Sequence, residues 1–161
     1  MRRRAAFVSG ICLLAAASCG SASPPLFTVA ELVPRIDELN GKTVRVAGYL
    51  GDCSGYECGL YPSKDDFAAW TRTIAELRKG NRPEQPRSPV LGIGTGEQSE
   101  FDSKAVPFTD RYVVITGKVS NQCRSKGEPA CTDRSTDLDP ISIAAWSGPV
   151  PPPPQSQSAK V

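Results

Sequence analysis

Apolar positions recur at two spacings along this chain, and each switch between them marks a new element. After Thr28, the residues Val29, Leu32, Val33, Ile36 and Leu39 fall on one helical face. Thr28 with Glu31 three positions on forms a capping-box pair. Pro34 removes a backbone donor mid-stretch. The pattern therefore predicts two short helical turns, the second ending at Asn40-Gly41 with Gly41 as a left-handed cap. The spacing then drops to two. Val44, Val46 and Leu50 alternate with Thr43, Arg45 and Tyr49, predicting a strand with one buried face. Gly48 interrupts that alternation and marks a bulge or sharp bend. A short second strand centres on Leu60 and Tyr61.

Helical spacing returns between Ser63 and Gly80. Phe67, Trp70, Ile74 and Leu77 lie on one face, which reads as a core face. Ser63 is the cap, with Asp66 at the box position. Asp65 and Asp66 suit the positive N-terminal end of the helix dipole, and Arg78 and Lys79 suit its C-terminal end. A proline-punctuated linker (Pro83, Pro86, Pro89) leads to a third strand through Val90, Leu91 and Ile93. Gly92, Gly94 and Gly96 do not form a phosphate loop, because GEQSEFDSKAVP has no helical apolar period and supplies no helix start.

A fourth strand, RYVVITGKVSNQC, repeats the first. Residues 44–50 and 113–119 share V-x-[VI]-x-G-x-[LV]. Two long strands with a mid-strand glycine suit a small, strongly curled sheet, since glycine lets each strand bend. Residues 121–139 are polar and read as a long loop. A fifth strand follows, with Ile141 and Ile143 alternating with Ser142 and Ala144. The chain is thus mainly β: five short strands, one central helix and a short N-terminal helical turn, predicting a small closed or nearly closed barrel of the OB type. The helix follows the second strand, whereas the usual OB order places it after the third. A variant topology or an overlooked strand is expected.

The N-terminus adds an address. Arg2, Arg3 and Arg4 precede an apolar run, residues 5–17, that is too short for a membrane span. Ala16-Ala17-Ser18-Cys19 resembles the lipobox of bacterial lipoproteins, with Ala16 where leucine is usual. That resemblance implies export and lipidation of Cys19; cleavage near Ala22 by an ordinary signal peptidase is the alternative. The expected organisation is a signal peptide over 1–18, a tether over 19–26, the barrel over 27–148, and a proline-rich tail over 149–161. The tail, PVPPPPQSQSAKV, is disordered or polyproline II by composition. It could serve a proline-reading domain, but a plain extended tail is the expectation in an envelope.

Charge excludes one class of partner. Without the three leader arginines the side chains carry 16 positive and 17 negative charges, leaving no basic face for a polyanion. No nucleic-acid partner is expected.

Of the six cysteines, Cys12 leaves with the leader and Cys19 is lipidated or removed. Cys53, Cys58, Cys123 and Cys131 remain, an even set that reads as two disulfides in an oxidising compartment. A four-thiolate zinc site is the rival. The spacings C-x4-C and C-x7-C do not fit it, and the chain has no histidine. A redox pair would need C-x-x-C beside a helix start.

The string E-L-x-G-K-x-V-x-V-x-G-Y-L over 38–50, then C-x-L-Y over 58–61 and R-Y-V-V-I-x-G over 111–117, resembles a group of uncharacterised exported bacterial lipoproteins with an OB-like domain. The likeness covers most of residues 35–146 and implies a fold, not an activity. In an OB barrel the first and fourth strands pair antiparallel, so the loops after them lie at opposite ends. Cross-pairing would then exceed a disulfide's reach of about 7 Å between α-carbons. The OB reading thus implies Cys53–Cys58 and Cys123–Cys131.

No nucleophile, paired-acid or metalloprotease motif is present. No catalytic residue, cofactor or metal ligand is therefore assigned. The expected function is a membrane-anchored envelope module that binds a small ligand or an envelope protein. A structural scaffold of an envelope complex and a carboxylate-dependent enzyme are the alternatives. OB barrels bind across strands two and three, which makes Tyr49, Tyr56 and Tyr61 the candidate contacts.

Overall fold

The computed structural model describes residues 23–54, 57–94, 100–122 and 137–150. A three-residue strand, β1 (Leu26–Thr28), leads directly into α1 (Val29–Leu32), a 3-10 turn (Val33–Arg35) and α2 (Ile36–Leu39). The capping box is complete. The Thr28 hydroxyl accepts from the Glu31 N–H, and the Glu31 carboxylate accepts from the Thr28 N–H at 2.9 Å. Pro34 sits in the 3-10 turn, where the helix divides. Gly41 has φ +79°, the left-handed value expected after α2.

Six strands form one sheet. β2 (Thr43–Ser54), β3 (Glu57–Tyr61), β4 (Leu91–Gly92), β5 (Arg111–Val119) and β6 (Leu138–Ala145) follow the spatial order β4-β3-β2-β5-β6 with antiparallel ladders. β1 adds to β2 in parallel. The outer strands of that order meet at a single parallel bridge, Ile93 with Leu138. Two backbone bonds flank it: Gly94 N–H to Leu138 O at 2.9 Å and Asp137 N–H to Gly92 O at 3.1 Å. The sheet is open beyond that contact, so the pairing does not amount to a closed ladder.

The repeated strand motif pairs with itself. Val44 faces Gly117 and Gly48 faces Val113, so each glycine lies opposite the first valine of the other copy. The register shifts fall near these glycines. Between Leu50 and Cys53 β2 carries one extra residue against β3, and between Thr116 and Gly117 the extra residue is Ile141 of β6. That insertion breaks the expected alternation of β6. Ile141 is 62% exposed, and the core residue of the strand is Leu138.

The core gathers Val44, Val46 and Leu50 of β2, Leu60 of β3, Leu91, Ile93, Val113, Ile115, Val119 and Leu138, joined by Val29, Leu32, Ile36 and Leu39. Each such side chain contributes about 1.5–3 kcal/mol through burial. Cys53 and Cys58 are bonded across β2 and β3, both buried, with α-carbons 4.1 Å apart. Closing so small a loop removes on the order of 2 kcal/mol of unfolded-chain entropy. Cys19, Cys123, Cys131 and Tyr56 lie outside the described residues, as does the leader.

Two helices depart from expectation. α4 (Glu100–Ala105), followed by a 3-10 turn (Val106–Phe108), stands where no helix was predicted, and its Phe101 and Ala105 enter the core. α3 (Lys64–Arg78) is the predicted central helix, with the Ser63 cap and a left-handed Gly80 stop. Its apolar face, however, is absent from the core cluster. Phe67, Trp70 and Ile74 are half-buried and Leu77 is 43% exposed. The sheet's inner face is already covered by α1, α2 and α4, whose Val29, Leu32, Ile36, Leu39, Phe101 and Ala105 join the core, so α3 packs against the outer one.

Candidate functional site

Alternation along β2 and β3 decides what α3 covers. Leu50 and Leu60 are paired neighbours that point into the core. Tyr49 and Tyr61, one residue away on each strand, are also paired and therefore face outward. Tyr112 of β5 pairs with Tyr49 from the other side. Three tyrosines thus form a cross-strand row, Tyr112–Tyr49–Tyr61. Tyr49 and Tyr112 meet edge-on at 5.2 Å between ring centres. Phe67 of α3 lies over the row, 5.7 Å from Tyr49 and 5.1 Å from Tyr61. Such ring pairs add about 0.5–1.5 kcal/mol beyond burial. Gly51 makes room for Phe67, because a Cβ there would come within 2.7 Å of its ring.

The N-terminal half of α3 is pinned. The Lys64 N–H donates to the Tyr112 hydroxyl at 3.2 Å. The Asp66 carboxylate accepts from the Ser63 hydroxyl at 2.6 Å and from the Ser88 hydroxyl. The Trp70 indole N–H donates to the Ser88 carbonyl at 3.3 Å. Past Trp70 the helix stands away from the sheet. A cleft of about 370 Å³ opens there, a volume within the range of ligand sites. Tyr61, Phe67, Trp70 and Ile74 line it, with Gly59 on the sheet side. Asp52, Thr71, Ala75 and Arg78 complete the wall, so one carboxylate, one guanidinium and two hydroxyls border an aromatic interior.

Two other depressions lack this character. One, of about 430 Å³, lies between α3 and the return segment Pro83–Arg87 and is bordered by Arg72, Glu76, Glu84 and Arg87. The other, of about 530 Å³, is a polar trough around Asn40, Lys118, Gln122 and Asp139. Neither is lined by an aromatic ring.

Of the tyrosines singled out from the sequence, Tyr61 lines the cleft and Tyr49 lies beneath it. Tyr49 is only 3% exposed, so its ring supports the floor and does not offer contact surface. Its hydroxyl donates to Asp110 Oδ1 at 3.5 Å. Burial, reinforced by the Asp110 charge, raises the Tyr49 pKa above the usual phenol value. The folded state holds this proton more tightly than the unfolded chain. Its stabilising contribution is complete below about pH 10 and is lost as pH rises through the raised value. Tyr49→Phe should therefore flatten the alkaline decline in stability. Urea midpoints between pH 8 and 11 would check this; an equally steep decline in the variant would refute it.

Helical spacing assigns Phe67 and Trp70 to a core face in preference to a site, because periodicity reports that a face is covered, not by what. The available signal was topological. One face of the sheet can be covered from elsewhere in the chain, so a helix between the second and third strands is free to pack on the other. Among the described residues no three histidine, cysteine or acidic side chains converge on a metal position.

Fold and site define a mainly β protein with an aromatic-floored cleft between its sheet and an outer helix. Comparison with protein families, curated proteins and solved structures returns no match to this chain.

Proposed function

We propose that this chain is a non-catalytic binding module of the bacterial cell envelope, exported by residues 1–18, tethered through a lipid on Cys19, and taking its ligand in the α3 cleft. The observation that carries the reading is the aromatic floor. Tyr61, Phe67 and Trp70 border one concavity, and cross-strand packing and the Ser88 bonds hold their elements in place. A site ordered before its ligand arrives loses less entropy on binding. The Cys53–Cys58 bond next to Asp52 stiffens the sheet side of the same wall. Asp52 and Arg78 give the two charges that would orient a ligand with an apolar body and polar ends.

The finer fold reading is a variant OB barrel. Its support is the strand order, with the second strand flanking the first and third, the fourth and fifth on the other side, and the parallel bridge Ile93–Leu138 where third and fifth would close. α4 then occupies the usual helix position, and α3 is an insertion over the binding face. Two of the scattered acids have structural work: Asp66 accepts from the Ser63 cap and from Ser88, and Asp65 sits in the first turn of α3.

Photo-crosslinking in the native envelope tests the site. With p-benzoylphenylalanine at Ala75, inside the cleft, an adduct to an envelope component is expected. The same probe at Lys118, on exposed β5 surface, should give little. Equal yields from both positions, or no adduct from position 75, would overturn the assignment.

A further inference from the structure

One ridge of α3 stands over a single ring on the sheet. Phe67, Trp70, Thr71, Ile74, Ala75 and Arg78 recur at three- and four-residue spacing and line the cleft together. From Phe67 to Arg78 the ridge runs about 16 Å. On the sheet side, a Cβ at Gly59 would lie 3.0, 3.1 and 3.2 Å from Oη, Cε2 and Cζ of Tyr61. Near-equal distances to three atoms of one ring place that point over the ring's face, not its edge. The Tyr61 phenol therefore rests one face on Gly59 and turns the other away from the sheet.

The polar groups around this ring are not equally available. The Trp70 indole N–H is taken by the Ser88 carbonyl, and the Thr71 hydroxyl donates to the Phe67 carbonyl at 3.0 Å. Asp52 is engaged in an interaction of its own. Arg78 differs: its guanidinium has no hydrogen bond or ion pair among the described residues. The sequence explains why. Ile74 and Ala75 stand one turn before it, and Asn81 and Arg82 one turn after, so no acid occupies a pairing position. The nearest acid in sequence, Glu76, is held by Lys79 at 2.7 Å and by Asn81. An exposed arginine needs no partner; this one, however, ends the ridge that lines the cleft. Helical side chains lean toward the N-terminus, so it reaches back toward the aromatic end.

Resting on the reading of the cleft as a binding site, we propose that its ligand is a small, flat-ringed molecule bearing an anionic oxygen group, carboxylate or phosphate, with the ring against Tyr61 and the anion on Arg78. A guanidinium meets either group with a planar fork and two parallel hydrogen bonds. The ring gains offset or edge-on packing against Tyr61, Phe67 and Trp70. A cationic ring would face Arg78 as a like charge, and a neutral one would leave its fork unused.

The test titrates the isotope-labelled protein with matched probes, followed by NMR. Indole-3-acetate and phenyl phosphate are the anions; indole-3-acetamide and tryptamine are the neutral and cationic counterparts. The anions should shift the Trp70 indole N–H and the amides of α3, and whichever binds more tightly identifies the group. Indole-3-acetate should bind about tenfold more tightly than its amide, the effect of one charge-assisted pair, and tryptamine more weakly still. Arg78→Gln should abolish the difference between acetate and amide without moving the melting temperature, because the side chain is exposed. Arg78→Lys, which keeps the charge and loses the fork, should restore part of it. Amide or tryptamine binding as tightly as the acetate, an acetate affinity indifferent to Arg78→Gln, or no shift in α3 at millimolar anion would each overturn the proposal. The two failures are separable. Equal binding of all three indoles at α3 keeps the cleft and removes the anion, whereas shifts confined to other surfaces remove the cleft itself.

Discussion

Gly48→Ala is expected to lower the unfolding free energy by about 3 kcal/mol, at the upper end for overpacking, and Gly48→Val to leave little folded protein. A Cβ at this position would stand 2.7 Å from the Tyr61 carbonyl oxygen and 2.8 Å from both Leu60 Cγ and Val29 Cγ2. The first neighbour is backbone within the β2–β3 ladder and cannot move without breaking strand pairing. The other two are core side chains with no exposed surface. The crowding is purely steric, since the left-handed glycines are Gly41 and Gly80 among the described residues. Gly41→Ala is the natural control. It meets nothing within 4 Å, so it should cost only the left-handed backbone penalty of about 1–2 kcal/mol. Denaturant midpoints and melting temperatures measure both. For a domain of this size about 3 kcal/mol corresponds to a drop of more than roughly 10 °C. A Gly48→Ala protein as stable as the parent would mean that the two strands do not approach as closely as the fold requires.

The glycine at that position was legible in the sequence because a break in a two-residue alternation has few causes. The same holds for the strands around it. The V-x-[VI]-x-G-x-[LV] repeat identified β2 and β5, and their pairing sets each glycine against the other's valine. Caps were legible for a similar reason: Thr28 with Glu31, Ser63 with Asp66, and Gly80 act within a few residues of themselves. What could not be read was anything decided by distant partners. Ile141 is turned outward by a one-residue insertion relative to β5, which only the pairing reveals. The face of α3 was recognised, but its partner was misjudged, and the cleft exists because that face leans on Tyr49 and Tyr61 instead of entering the core. Tyr61 reads as a candidate contact through fold analogy, and it lines the cleft. Phe67 and Trp70 read as core because helical spacing favours a core face, whereas they are half-buried on the outer side of the sheet.

α4 is the clearest case of an element held by its surroundings, and it supplies the second large effect: Phe101→Ala is expected to cost about 3–5 kcal/mol. Six residues are far too few for a helix to persist alone. Glu100–Ala105 has one ion pair within it, Lys104 to Glu100 at 2.6 Å, which is exposed and contributes under about 1 kcal/mol. The remaining support is burial of Phe101 and Ala105 against the core shared with β2, β5 and β6. Removing the ring leaves a cavity beneath the helix and releases its anchor, so stability and local order should fall together. Hydrogen exchange in α4 should accelerate more than in β2 or β5, and the melting temperature should drop by more than roughly 10 °C. Phe101→Leu should recover most of the loss. Val106→Ala, one residue beyond α4 and 64% exposed, should stay within about 0.5 kcal/mol of the parent. If Phe101→Ala melted within a degree or two of the parent, α4 would be a surface appendage, contrary to the burial of Phe101 and Ala105 in the core.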